Sequence, residues 1–150
     1  MRVPPPLVFA AILVAGWALD WLWPWPIVPP GRGFAPRIAG AAALIGLGFG
    51  LIACCVWHFK RAQTAVEPWR ATTRIVTQGP YRYSRNPIYL GFALAGVGFA
   101  LAFNNLWMLA GQLCFVLVVS ELVIKREEAY LARKFGDAYS IYRSNTRRWL

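Results

Sequence analysis

The sequence predicts an all-α integral membrane protein with about four transmembrane helices and one further helix at the C-terminus. Of its 150 residues, 58% are hydrophobic and 15% are charged, whereas soluble domains carry about 25% charged residues. Four apolar segments, residues 7–23, 38–59, 88–103 and 106–124, each approach the ~20 residues that cross a bilayer, and the third is the shortest. The Lys and Arg residues gather between and after these segments, as they do in membrane proteins.

The two N-terminal segments are expected to be retained transmembrane helices. The first ends in a Trp- and Pro-rich run, residues 21–26, which is typical of a membrane exit. The second carries Ala42, Gly46 and Gly50 at four-residue intervals. Small residues at this spacing let two helices approach closely, so this face is predicted to contact another helix.

The last two segments are predicted to form a helical hairpin. The third segment carries Gly91 and Ala95 at the same four-residue spacing, which again favours close helix packing. Asn104 and Asn105 separate it from the fourth segment, and Asn suits a tight turn. After Ile124 the chain turns polar.

The polar tail is predicted to be a cytoplasmic helix that breaks at Gly136 and folds back over residues 60–87. One face of this helix is apolar and aromatic, formed by Leu131, Phe135, Tyr139 and Tyr142. Residues 60–86 and 125–148 are rich in Lys and Arg, which places both on the cytoplasmic side together with the two termini.

Several functions have no support in the sequence. The basic residues flank apolar spans instead of forming a reading module, so no nucleic-acid partner is expected. Three cysteines, Cys54, Cys55 and Cys114, lie in apolar segments without metal-ligand spacing and are expected to be buried free thiols. No metal site, catalytic triad, phosphate-binding loop or dinucleotide fingerprint is present in the sequence.

The chemistry is expected at the start of the third segment, in the run GPYRYSRNPIYLG at residues 79–91. Pro87 suits the first turn of a helix, and Ser84 or Asn86 could cap it. Arg82 and Arg85 add positive charge to the free backbone N–H groups of that helix start. A small anionic or zwitterionic ligand at the membrane surface is therefore expected here.

The few acidic residues give a second candidate region. Glu127 and Glu128 follow the fourth segment directly, and Glu121 lies one to two turns deeper, where it is expected to pair with a loop arginine. His58, the only histidine, is expected to form interfacial hydrogen bonds. Carboxylates in the tail and arginines in the loop could together hold the two charges of an amino acid moiety.

The GPYRYSRNPIYLG run, followed by a hairpin and by the spacing Arg126-Glu127-Glu128-x-x-Leu131-x-x-x-Phe135-Gly136, closely resembles the isoprenylcysteine carboxyl methyltransferase family and its phospholipid methyltransferase relatives. The similarity covers roughly residues 60–150, including a lead-in at 63–76. The resemblance implies a single membrane methyltransferase domain over residues 1–150. Residues 1–59 would supply two transmembrane helices, and residues 60–150 the cofactor loop, the hairpin and a C-terminal helix over the cofactor pocket.

The resemblance also implies the cofactor and the residues that hold it. The cofactor would be S-adenosyl-L-methionine, with S-adenosyl-L-homocysteine as product. Glu127 and Arg126 are the candidate catalytic residues. The implied cofactor-binding residues are Thr73, Arg74, Ile75, Val76, Tyr81, Asn86, Pro87, Ile88, Tyr89 and Glu127.

Two positions depart from the family pattern. Asn86 stands where many relatives have His, and Val123 stands where the eukaryotic enzymes have a substrate-binding Arg, for which Arg126 is the nearest substitute. The expected acceptor is a lipophilic molecule in the bilayer: an isoprenylcysteine-like carboxylate, a phospholipid amine or another small lipid. A prokaryotic inner membrane is the expected location. An NADPH-dependent sterol-type reductase and a non-catalytic membrane scaffold are the alternatives.

Overall fold

A computed structural model of the chain describes residues 4–29, 33–64 and 73–150. Apart from an isolated β-bridge, the regular structure in these residues is helical. The α-helices are α1 Pro5–Leu22, α2 Phe34–Arg61, α3 Pro87–Phe103, α4 Leu106–Val119, α5 Lys125–Phe135 and α6 Asp137–Asn145. A 3-10 turn, Gly79–Arg82, precedes α3, and a π turn, Ser120–Ile124, joins α4 to α5.

The structure is that of an all-α membrane protein. Within the described residues, three helices are long and apolar enough to cross a bilayer: Pro5–Leu22, Phe34–Arg61 and the continuous helix Leu106–Phe135. Helix α3, with 17 residues, is apolar but shorter. Large apolar side chains on the outer faces, such as Leu47 and Leu113, are more than 60% exposed. Such a surface is compatible with surrounding lipid and unusual in contact with water.

The helix ends follow local signals in the sequence. Prolines occupy the first turns of α1 and α3, where a missing N–H costs no hydrogen bond. Helix α3 ends at Asn104, whose φ of 55° is left-handed. Asn105 then caps α4, because its side chain accepts a hydrogen bond from the Met108 N–H at 2.8 Å. The tight turn predicted for these two asparagines is confirmed.

Helices α2 and α3 pack closely through small residues. Gly48 lies against the Gly91 carbonyl and the Ala95 backbone, so a Cβ on Gly48 would come within 2.5 Å of that oxygen. The close packing predicted at Gly91 and Ala95 is thus confirmed. The face predicted on α2 is wrong, because a Cβ on Gly46 or Gly50 would meet no atom of another element within 4 Å, so both glycines face outward. The contact uses the face of Ala41 and Gly48 instead.

The centre of the bundle is an aromatic cluster. Phe9 of α1 is 7% exposed and lies between Phe92 of α3 and Phe115 of α4, with ring centroids 5.1 Å and 5.9 Å away. Gly16 of α1 packs against Met108 of α4, where a side chain would collide. Tight helix packing of this kind holds a bundle together in lipid, where the hydrophobic effect between helices is weak.

The cysteines are only partly as expected. Cys55 is buried, whereas Cys54 and Cys114 are exposed. The expectation was wrong for the last two because they lie on helix faces that turn away from the bundle. In a membrane protein an apolar segment has a lipid-facing side, so an apolar run does not by itself imply burial in protein.

The polar tail continues from α4 as one helix and then folds back. The chain passes from α4 through the π turn into α5 without a break. Gly136, with φ 53°, ends α5 and separates it from α6. The break predicted at Gly136 is confirmed. We call the part of the molecule formed by residues 73–86 and 125–150 the polar end.

The contribution of the Gly48 contact to stability can be tested with a matched control. We expect Gly48→Ala to lower the stability of the protein by about 1–3 kcal/mol, since the new methyl meets backbone atoms of α3. Gly46→Ala, two residues away on the open face, is expected to be neutral or slightly stabilising because alanine favours a helix. Thermal unfolding in detergent measures both. Equal loss of stability in the two variants would contradict this account of the α2–α3 contact.

Candidate functional site

The polar loop before α3 is anchored on the end of α2. Gly79 has φ 61° and lies against the His58 imidazole, so closely that a Cβ would fall 2.3 Å from His58 Nε2. The His58 Nδ1 hydrogen-bonds to the Cys54 carbonyl at 2.9 Å, and must donate because a carbonyl only accepts. Glycine is therefore required at position 79 both by the turn and by its neighbour. His58 has the hydrogen-bonding role that was expected.

The start of α3 is held by the C-terminal segment of the chain. Asn86 occupies the N-cap position and is 7% exposed, but its side chain forms no cap. It donates instead from Nδ2 to the Arg148 carbonyl at 2.9 Å, while Ser84 Oγ accepts from the Asn86 N–H at 3.2 Å. The predicted side-chain cap is therefore wrong. The Asn86 side chain binds the C-terminal segment instead of the helix start, so the first turn of α3 has no side-chain cap.

Tyr89 and Glu127 meet at the junction of α3 and α5. The Tyr89 hydroxyl donates to the Glu127 carboxylate and lies 3.1 Å from each of its two oxygens. Tyr89 is only 8% exposed. Burial raises the pKa of Glu127, which lies in α5 beyond the apolar segment, to about 7. This carboxyl group can therefore exchange a proton near neutral pH.

Glu128 forms a second, charged junction. Its carboxylate lies 3.3 Å from Arg85 Nη1 of the loop, and both side chains are 10% exposed. Arg148 donates to the same carboxylate from Nε at 3.2 Å and from Nη2 at 2.6 Å. This bond to Glu128 raises the pKa of Arg148. The expected pair between Glu121 and a loop arginine is wrong, because Glu121 binds Lys125 one turn along the helix.

The tail covers the loop through backbone contacts as well. Arg85 N–H donates to the Arg147 carbonyl at 2.9 Å, and Ser84 forms a parallel bridge with Arg147. Tyr142 of α6 donates from its hydroxyl to the Tyr81 carbonyl at 2.8 Å. Burial raises the pKa of Tyr142, so the hydroxyl keeps the proton that this bond needs. The predicted folding back of the tail is confirmed.

The structure brings some of the predicted site residues together. Tyr81 and Asn86 are buried at the polar end, and Pro87 and Tyr89 are buried beside it in the first turn of α3. Ile88 packs against the core, and Glu127 meets Tyr89. Glu128, Arg85 and Arg148 join them; the sequence had placed Arg85 and Glu128 in the two candidate regions, whereas Arg148 was not predicted. Arg148 carries no signal beyond the general basic character of the tail.

Other predicted residues lie elsewhere on the surface. Thr73 and Arg74 are exposed, and Thr73 is tied to the end of α2 through its N–H to Thr64 Oγ at 2.9 Å. Ile75 and Val76 are half-buried. Arg126 is exposed on α5. Residues 65–72 of the predicted lead-in lie outside the described residues.

The site combines features suited to a small zwitterionic ligand. A carboxyl group that titrates near neutral pH can bind an ammonium, and an uncapped helix start can bind an anion. Among the described residues no three His, Cys, Asp or Glu side chains cluster in a way that could hold a metal. Val123 is buried in the core at 8% exposure, so this position offers no charge.

The chain is similar to known proteins over much of its length. A family model described as phospholipid methyltransferase matches residues 36–138. A protein-S-isoprenylcysteine O-methyltransferase of Schizosaccharomyces pombe is 39% identical over 103 residues, which cover 59% of this chain and 42% of that enzyme. A protein of Haemophilus influenzae, described as uncharacterized, is 40% identical over 63 residues, which are 42% of this chain and 100% of that protein. No solved structure matches significantly.

The chain thus spans less than half the length of the yeast enzyme that it resembles. The family match, in contrast, covers most of this chain, and its residue range includes α3 and α5. The chain therefore belongs to the phospholipid methyltransferase family, with an isoprenylcysteine methyltransferase among its relatives.

Proposed function

We propose that this protein transfers a methyl group from S-adenosyl-L-methionine to a lipophilic acceptor in the bilayer. The observation that carries the proposal is the contact between Tyr89 and Glu127, 3.1 Å from hydroxyl to carboxylate. It joins the two sequence motifs of the family at the boundary between apolar helices and a polar tail. A polar cofactor and a membrane-embedded acceptor can meet only at such a boundary.

The residues present fit the two charges of the cofactor's amino acid moiety. Glu127 would accept hydrogen bonds from the ammonium or from the ribose. The start of α3 would attract the carboxylate, and the buried Nε of Arg85 forms no hydrogen bond within the described residues, while Nη1 of the same side chain is paired with Glu128. Tyr81, Asn86, Pro87, Ile88 and Tyr89 would line this region, with Thr73, Arg74, Ile75 and Val76 at its approach.

For methyl transfer the protein would mainly have to position the two reactants. The sulfonium of the cofactor supplies an activated methyl group, so alignment and exclusion of water dominate the rate. A carboxylate acceptor needs no base. A lipid ammonium must first lose a proton, and Glu127 has a pKa of about 7 that suits this task. Arg126, exposed on the same helix, remains the candidate to meet an anionic acceptor.

The proposal includes a topology. Residues 1–150 would form one membrane methyltransferase domain with the polar end and both termini in the cytoplasm. The concentration of Lys and Arg in residues 60–86 and 125–148 supports this orientation. A prokaryotic inner membrane is the location we propose.

The direct experiment uses native membranes and methyl-labelled S-adenosyl-L-methionine. We expect label in the lipid extract, in a molecule whose mass rises by one CH₂ on mass spectrometry. Label confined to soluble metabolites or soluble proteins would refute the lipid acceptor. Purified protein that binds NADPH but not S-adenosyl-L-homocysteine would instead support a reductase.

Glu127→Gln is expected to weaken binding of S-adenosyl-L-homocysteine about tenfold or more, because a charge-assisted hydrogen bond contributes about 1.5–3 kcal/mol. The matched control is Glu121→Gln, which removes an exposed carboxylate paired only with Lys125. This control is expected to bind as the unmodified protein does. Isothermal titration calorimetry in detergent measures both, and equal affinities of the two variants would contradict the role of Glu127.

Binding is also expected to depend on pH in a defined direction. The pKa of Glu127 is raised from 4.5 to about 7, so the group is neutral below that pH and charged above it. A cationic ammonium prefers the charged form, so affinity should fall up to about tenfold between about pH 8 and about pH 6. Titrations at both values check this. Glu127→Gln should remove the dependence, and an unchanged dependence in that variant would assign it to another group.

A further inference from the structure

The π turn between α4 and α5 is the one irregular stretch of a helix that runs from Leu106 to Phe135. In this turn the Lys125 N–H reaches back five residues to the Ser120 carbonyl, one residue more than in an α-helix. A π turn of this kind accommodates an extra residue and shifts all later side chains by about 100° around the helix.

The burial of side chains along the helix records this shift. In α4 the inward positions include Phe115 and Val119, both at 0% exposure. Within the turn two consecutive residues, Val123 at 8% and Ile124 at 0%, face the core. An unbroken α-helix would place Ile124, nine residues after Phe115, about 180° away on the opposite face, so its burial at 0% exposure shows that the register has shifted within the turn.

Without the turn a different side chain would face Tyr89. Residue 126 follows Phe115 by eleven positions, which is about three turns of an α-helix. An unbroken helix would therefore point Arg126 in the direction of Phe115, toward the bundle. In the structure Arg126 is exposed and Glu127 faces Tyr89, while Glu128 reaches Arg85.

We infer that the π turn Ser120–Ile124 is the positioning element of the polar end, which supplies the one-residue shift that sets Glu127, in place of Arg126, against Tyr89. Its consequence for methyl transfer rests on the proposed function. The register shift itself is independent of the proposed function, because it concerns a contact between two side chains of the protein. The turn itself touches no reacting atom in this account.

Three length variants test the inference. Deletion of Leu122, which is 47% exposed, removes the extra residue and is expected to give a regular helix with Glu127 still facing Tyr89. An alanine inserted after Ile124 is expected to turn Glu127 away. The insertion combined with the deletion restores the original number of residues and is the matched control.

The readout is the coupling between Tyr89 and Glu127 in the absence of ligand. In each background the melting temperatures of Tyr89→Phe, Glu127→Gln and the double variant are measured in detergent. Where the hydrogen bond exists, the two single shifts are not additive; where it is broken, they add. We expect coupling in the unmodified protein, in the Leu122 deletion and in the combined variant. In the insertion variant the two shifts in melting temperature should add. Binding of S-adenosyl-L-homocysteine should follow the same order, with at least a tenfold loss in the insertion.

Two results would overturn the inference: coupling that survives the insertion, or coupling that the combined variant fails to recover. Loss of coupling on deletion of Leu122 alone would also contradict the inference, because a regular helix with one residue fewer should keep Glu127 against Tyr89. If coupling follows the expected pattern while the unmodified protein binds no S-adenosyl-L-homocysteine, the positioning inference stands and the proposed function fails.

Discussion

The polar end of this protein depends on the carboxylate of Glu128. It binds Arg85 of the loop before α3 and Arg148 of the C-terminal segment, and it stands on α5. Three segments that are distant in sequence are thus joined at one buried group. Removing one partner of such a buried ion pair leaves an uncompensated charge and typically costs about 3–5 kcal/mol. The order of the site therefore follows from this junction more than from any single helix.

Glu128 joins the segments of the polar end, while Glu127 forms a side-chain hydrogen bond only with Tyr89. Two adjacent carboxylates point to different partners: one to arginines that keep it in place, the other to a single tyrosine hydroxyl. Burial penalises the charge of Glu127 and raises its pKa toward neutrality. Perturbed carboxyl groups of this kind are frequent at functional sites. The bundle beneath supplies rigidity through the contact of Gly48 with α3.

Much of this fold could be predicted from composition and local signals. The apolar segments, the Asn104–Asn105 turn and the break at Gly136 each have a local cause: hydrophobic length, a left-handed asparagine and a glycine that tolerates positive φ. The meeting of loop and tail was also predictable, from the apolar face of the tail. These features depend on residues close in sequence or on the membrane as solvent.

The remaining features depend on which face of a helix is turned inward and on which of two possible partners a polar side chain binds. Four-residue spacing could not distinguish the packed face of Gly48 from the open face of Gly46, since both carry small residues. Glu121 could reach either a loop arginine or Lys125, and the nearer partner on the same helix prevails. Asn86 could cap α3 or bind the tail. A π turn has no sequence signature that would have placed Arg126 outside and Glu127 inside.

The most direct test of the account is an experimental structure of the protein with S-adenosyl-L-homocysteine. We expect the ligand's amino group or ribose within hydrogen-bond distance of Glu127 and its carboxylate near the start of α3. A ligand bound away from both Glu127 and Tyr89, with their contact undisturbed, would contradict the central claim.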